Sequence, residues 1–269
     1  MVNQDLEKRY RGLHYEIGRM PEWLTHSAWY WKFPHAFRVL LFKALSPRSI
    51  SGVRELRLIS QNPNAHSIQP FLETKSLFVH IPKTAGISVG VSLYGRKTGD
   101  HRTMADYELC FTKAEFQSLY KFTFVRNPWD RLLSAYSYMK LGGRNKEDHD
   151  WSVKNLSAYE SFDQFVKEWV NEENIRSGLH FRPQHEFLRL KDGPLPVDFI
   201  GHFETIAADY DRIRSKIGTG SELAEMNKTA KKPKDYRQSY SAESKKIVGH
   251  VYQKDVELFG YVFDAAKSL

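Results

Sequence analysis

Three short runs, LFVHI (77–81), FTFV (122–125) and VDFIGHF (197–203), are continuously apolar or nearly so. Runs of this length without polar alternation suit strands buried on both faces. Each is followed by residues at helical spacing. Strands interleaved with helices call for crossover connections, and hence a parallel sheet with helices on both faces. That interleaving predicts an α/β chain.

The helical stretches are marked by their own signals. After the third run, Ile206, Tyr210, Ile213 and Ile217 recur at helical spacing and Gly218 supplies a stop. In SFDQFVKEWV, Phe162, Phe165, Val166 and Trp169 share a face, with Ser161 and Gln164 at capping-box positions. SAESKKIVGHVYQKDVELFGYVF reads as helical, with Ile247, Val248, Val251 and Val256 as core. GGRNKEDHDWSVKN (142–155) reads as a polar loop and KTAKKPKDYR (228–237) as a basic one.

Residues 1–74 differ in texture from residues 75–269, and the division into extension and main domain is placed there. Within the extension, HSAWYWKFPHAFRVLLFKAL (26–45) is aromatic and basic. A helix after Pro34 would put Phe37, Leu40, Leu41, Ala44 and Leu45 on one face. Such a face packs on a neighbouring domain in most proteins; peripheral contact with a membrane is the other use.

The formal charge of +8 favours anionic partners. No zinc finger or RNA-binding motif accompanies it, so nucleic acid is not expected. Cys110 is the single cysteine, which excludes an intrachain disulfide and a cysteine-based zinc site. No metal is expected. MVNQDLEKRY lacks the apolar centre of a signal peptide, and no apolar run reaches about 18 residues. The expectation is a cytoplasmic protein, membrane-associated at most. The oligomeric state is not legible.

Two strand-to-helix junctions carry the chemistry. Pro82, Lys83, Thr84, Ala85, Gly86, Ile87 and Ser88 follow the first strand. A helix starting near Gly86 aims unpaired N–H groups and its positive dipole end beyond the strand's carboxyl end, where ligands bind parallel sheets. Lys83 adds a charge, and Thr84 and Ser88 add hydroxyls, giving a cradle for a phosphate-like anion. The lysine precedes the glycine, so this is not the Walker A loop of nucleotide kinases and hydrolases, the alternative reading. At the second junction, FTFVRNPWDRLLSAYSYMK, Asn127 caps a helix whose first residue is Pro128. Arg126 precedes it and Ser134 follows about 9 Å of helical rise after Pro128. A guanidinium fork plus a hydroxyl suits a phosphate monoester; an ion pair at the helix end is the plainer role for such an arginine.

HIPKTAGIS followed by FVRNPWDRLLSAY resembles the carbohydrate-type sulfotransferases that use 3′-phosphoadenosine 5′-phosphosulfate. The resemblance spans roughly 76–265 and includes HFRPQHEFL and VDFIGHFE. It implies a P-loop-like three-layer fold, a central parallel sheet flanked by helices, to which the N-terminal extension is added. It implies that Pro82 to Ser88 hold the 5′-phosphosulfate, and that Arg126 and Ser134 hold the 3′-phosphate. Lys83 would neutralise the oxygen that leaves with the nucleotide, and His101 would take the acceptor's proton. HFRPQHEFL, with His180, Arg182 and Gln184, reads as acceptor-side or loop-stabilising, with His180 as a second candidate base. Tyr236 and Arg237, on the basic loop, would lie near the nucleotide. The acceptor implied is a carbohydrate or glycolipid.

Overall fold

The computed structural model describes residues 24, 27–45, 67–98, 101–190, 194–224 and 235–264. The lysines of the basic loop, Lys228, Lys231, Lys232 and Lys234, lie outside these. The described residues contain one three-stranded sheet, β1 (Ser76–Val79), β2 (Tyr120–Val125) and β3 (Phe199–His202), in that spatial order. Both pairings are parallel, with Phe78 opposite Phe122 and Phe122 opposite Phe199. The apolar runs thus form the expected α/β architecture, a parallel sheet flanked by helices. Leu77, Phe78, Val79, Phe122, Phe124 and Val125 are buried, as continuous apolar strands require.

A short helix, α1 (His35–Leu45), comes from the extension, and α2 (Gln69–Glu73) leads into β1. Between β1 and β2 lie α3 (Gly86–Tyr94), α4 (Met104–Cys110) and α5 (Lys113–Ser118). Thr103 and Thr112 open α4 and α5 with reciprocal capping boxes. Between β2 and β3 come α6 (Pro128–Lys140), α7 (Lys146–Leu156), α8 (Phe162–Trp169), α9 (Asn174–Ser177) and α10 (Gln184–Leu188). After β3 follow α11 (Ile206–Ile217), α12 (Ala242–Val251) and α13 (Gln253–Phe259).

One apolar core joins the sheet to α3, α4 and α11, where Tyr210 and Ile213 are fully buried. A second joins α6, α8 and α12 around Trp129, Phe165, Trp169, Phe181 and Val248. Ser161 caps α8 by accepting from the Gln164 N–H at 3.1 Å. The Gln164 side chain reaches back one residue further than a capping box would, to the Glu160 N–H.

Two expectations are corrected. Residues 146–156 are not loop but α7, started by Asn145, whose Oδ1 accepts from the Asp148 N–H at 2.7 Å. On α1, Phe37 and Leu40 face solvent, beside exposed Trp29 and Phe33. Arg38 and Phe42 point inward instead. The cause is a buried, two-pronged ion pair: Arg38 Nη2 and Nη1 donate to the Glu108 carboxylate at 2.6 and 3.1 Å. A guanidinium so deep needs its carboxylate, and that pairing fixes which way the helix faces. No helix among the described residues is long and apolar enough to cross a membrane.

Candidate active site

The cradle begins where β1 ends. Lys83 and Ala85 have φ of 70° and 63°, with Thr84 between them outside that left-handed region. Non-glycine residues in such conformations cost about 1–2 kcal/mol each, and strain of this kind collects at ligand clamps. Alternation of this sort folds successive N–H groups into an anion-binding concavity. Ala85 is the residue before α3, so the concavity runs into the positive end of that helix.

Side chains within the loop differ in role from the sequence reading. The Thr84 hydroxyl donates to the Ile81 carbonyl at 2.9 Å. Its proton closes the turn and is not offered to an anion. At Gly86 an added Cβ would lie 1.8 Å from Cδ2 of His80. The glycine is required by that buried ring. Ser88 is buried and Ile87 half-buried on the first turn of α3.

Arg126 brings the second junction to the first. Its Nη1 donates to the Lys83 carbonyl at 3.0 Å, its Nε to Asp130 Oδ2 at 2.8 Å, and its Nη2 lies 2.7 Å from the same oxygen. Asp130 is thus the arginine's partner. The ring of Phe203 lies under the guanidinium at 4.0 Å. Three of the five N–H donors are engaged in this way, and the other two are what Arg126 can offer to an anion. Ser134 is buried one turn beyond Asp130 on the same face of α6.

The capping of α6 is shared. Asn127 Oδ1 accepts from the Trp129 N–H at 3.1 Å, while the Asn127 N–H donates to Glu204 Oε1 at 2.7 Å. Glu204, from the turn after β3, also accepts from the Tyr261 hydroxyl. Gln184 supports the same junction: its amide donates to the Arg126 carbonyl at 2.8 Å and accepts from the Arg126 N–H at 2.9 Å. Fully buried, Gln184 is a backbone clasp, the loop-stabilising of the two roles open to its stretch.

Nothing in the sequence pattern singles out Arg131, yet its buried guanidinium holds the site together. Its Nε donates to the Pro82 carbonyl at 3.0 Å, and its Nη2 to the carbonyls of Arg182 and His180 at 2.9 and 3.3 Å. The cradle loop and the 180–182 segment are therefore tied through one cation.

Around Lys83 stand three histidines and a tyrosine. The ammonium sits 4.0 Å over the ring of Tyr138. His101 Nδ1 donates to the His80 carbonyl at 3.0 Å, which makes Nε2 its basic nitrogen. The His101 ring lies 4.3 Å from that of His80 and 5.9 Å from that of His180. His180 Nε2 lies 3.3 Å from Asp148 Oδ1. Burial pushes the His180 imidazole below its ordinary range, against the pull of Asp148, with Lys83 and Arg131 adding to the depression. Burial also opposes ionisation of Asp148, but its bonds to His180 and Tyr138 outweigh that and hold its carboxyl low.

His180 and Arg182 line a cavity of about 270 Å³ that also touches Asp148, Trp151 and Arg176. Tyr236 and Arg237 lie in the turn that packs on the start of α6. The Tyr236 hydroxyl donates to the Phe263 carbonyl, and burial pushes its pKa up to about 12. Arg237 forms a two-pronged pair with Asp235.

Comparison with known proteins agrees with this geometry. The family described as Sulfotransferase family matches residues 73–262, covering both junctions, α6 and the Glu204 support. The chain belongs to the sulfotransferase family. A 112-residue segment is 34% identical to an uncharacterized protein of Archaeoglobus fulgidus, covering 41% of this chain and 78% of that one. A 165-residue segment is 27% identical to carbohydrate sulfotransferase 14 of Homo sapiens, covering 51% of this chain. That match spans 43% of the human protein, less than half its length. No solved structure matches.

Proposed function

We propose that this chain moves a sulfuryl group from 3′-phosphoadenosine 5′-phosphosulfate to a hydroxyl of a carbohydrate or glycolipid. The observation that carries the reading is the 3.0 Å bond from Arg126 to the Lys83 carbonyl, which brings the two strand-to-helix junctions into contact. A donor with phosphate-type groups at both ends of an adenosine needs two such grips. The strained loop from Pro82 to Ser88 suits the 5′ end, and Arg126 with Ser134 suits the 3′-phosphate. The donor supplies an activated sulfuryl group when bound; the chain's own residues position it and neutralise charge.

In this reading Lys83 meets charge at the 5′ end; its ammonium sits over the ring of Tyr138. A histidine beside it receives the acceptor's proton. His101 is the residue the sequence points to, and His180 is the other that the fold brings to the same wall. The carbohydrate acceptor draws support from the human relative, a carbohydrate sulfotransferase by name. Incubation with ³⁵S-labelled donor and a panel of mono- and oligosaccharides tests the reading. Labelled sugar supports it. Mg²⁺-dependent turnover of ATP without sulfate transfer would replace it with a nucleotide kinase or hydrolase.

A further inference from the structure

The polar cluster next to Lys83 contains a carboxylate that the nucleotide grips do not use. Asp148, on the first turn of α7, accepts from the Tyr138 hydroxyl through Oδ2 at 2.6 Å. Its Oδ1 lies 3.3 Å from His180 Nε2, and the rings of Tyr138 and His180 are 4.9 Å apart. One carboxylate therefore fixes both the ring beneath the lysine and the histidine beside it. Because Nε2–H faces Asp148, Nδ1 is the basic nitrogen of His180. That atom is buried without a hydrogen-bond partner among the described residues. Unpaired buried nitrogens are rare, and a reacting group that arrives later is one reason to keep one.

The cavity at this pair is walled by Trp151, Glu147, Asp148, Arg176, His180 and Arg182. An aromatic plane with polar groups of both signs fits a compound bearing many hydroxyls, and about 270 Å³ admits a small part of it.

We propose that this cavity receives the polyhydroxy acceptor, that its hydroxyl meets His180 Nδ1, and that Asp148 is the positioning residue for His180 and Tyr138. The inference rests on the sulfotransferase reading and selects His180 over His101 as the base. In the step, the acceptor O–H bond breaks and its proton goes to Nδ1, while the oxygen forms the new O–S bond. The bond from sulfur to the phosphate oxygen breaks, its electron pair leaving on adenosine 3′,5′-bisphosphate. Nothing is oxidised or reduced.

The test uses the full chain, ³⁵S-labelled donor and a panel of mono- and oligosaccharides, with adenosine 3′,5′-bisphosphate calorimetry as the check that each variant is folded. Asp148→Asn is expected to lower kcat on the order of 100-fold, with bisphosphate affinity unchanged, and Asp148→Glu to regain part of the loss. The groups facing His180 are Asp148 from α7, Lys83 from the cradle and Arg131 from α6, with the rings of Tyr138 and His101. Of these Asp148 alone favours the protonated ring, so Asp148→Asn also moves the acid limb of kcat to lower pH. Trp151→Leu is expected to raise KM for the sugar about tenfold without changing KM for the donor. An unmoved acid limb, an unaltered sugar KM, or loss of turnover in His101→Gln but not His180→Gln overturns the proposal. If the wild-type chain binds bisphosphate and transfers no sulfate, the sulfotransferase reading itself fails and takes this inference with it.

Discussion

Gly86→Ala probes the cradle at its tightest point. The new methyl would lie 1.8, 2.2 and 2.5 Å from Cδ2, Nε2 and Cγ of His80, well inside the 3.4 Å at which ordinary contact begins. The ring has little room to retreat: it is buried, stacked on Phe78 at 5.7 Å, and lies against His101. Alanine is worth about 0.5–1 kcal/mol over glycine in a helix, but overpacking a rigid site costs about 1–3 kcal/mol. The steric cost wins, and a net loss of about 1–2 kcal/mol is expected by urea denaturation. The double variant is the sharper test. In a His80→Ala background the clash has no partner, so Gly86→Ala should cost nothing or stabilise slightly, a coupling of about 1–3 kcal/mol. If the two substitutions simply add, the clash is not what makes glycine necessary.

Lys83→Ala should lower transfer on the order of 10²–10³-fold while melting stays near wild type, because it is the lysine's carbonyl that Arg126 holds. Arg126→Ala and Ser134→Ala should weaken binding of adenosine 3′,5′-bisphosphate more than of adenosine 5′-monophosphate in calorimetry; equal losses would remove the 3′-phosphate assignment. Glu204→Ala strands the Asn127 N–H and should cost about 1–3 kcal/mol, read as a lower urea midpoint. His180 has its pKa depressed in the folded chain. As pH falls below the ordinary value of 6.5, the unfolded chain binds the proton first, so stability declines until the folded value is passed. His180→Gln should flatten that part of the stability–pH curve, and an unchanged slope would mean the ring titrates normally.

β1 and β2 were readable because sheet burial on both faces leaves an unbroken apolar run, whereas the edge strand β3 is only half-buried; α8 and α11 were readable because their inward residues are apolar at helical spacing. Helix α7 hid because two of its three buried residues, Asp148 and Ser152, are polar. Its apolar periodicity is absent, although the Asn145–Asp148 cap was a usable signal. The facing of α1 depends on Arg38 meeting Glu108, 70 residues away, which local pattern cannot show. Arg131 is similarly invisible: a mid-helix arginine reads as a surface cation until its three carbonyl acceptors are in place. Both strand-to-helix junctions were legible in order and type; the bond that joins them, from Arg126 to the Lys83 carbonyl, was not.

Calorimetric titration of the full chain with adenosine 3′,5′-bisphosphate, adenosine 5′-monophosphate and ATP reaches the core of this account. Two grips on one nucleotide predict that the bisphosphate binds tightest and that deleting its 3′-phosphate costs at least tenfold. Equal affinity for bisphosphate and monophosphate, or a preference for ATP, would contradict it.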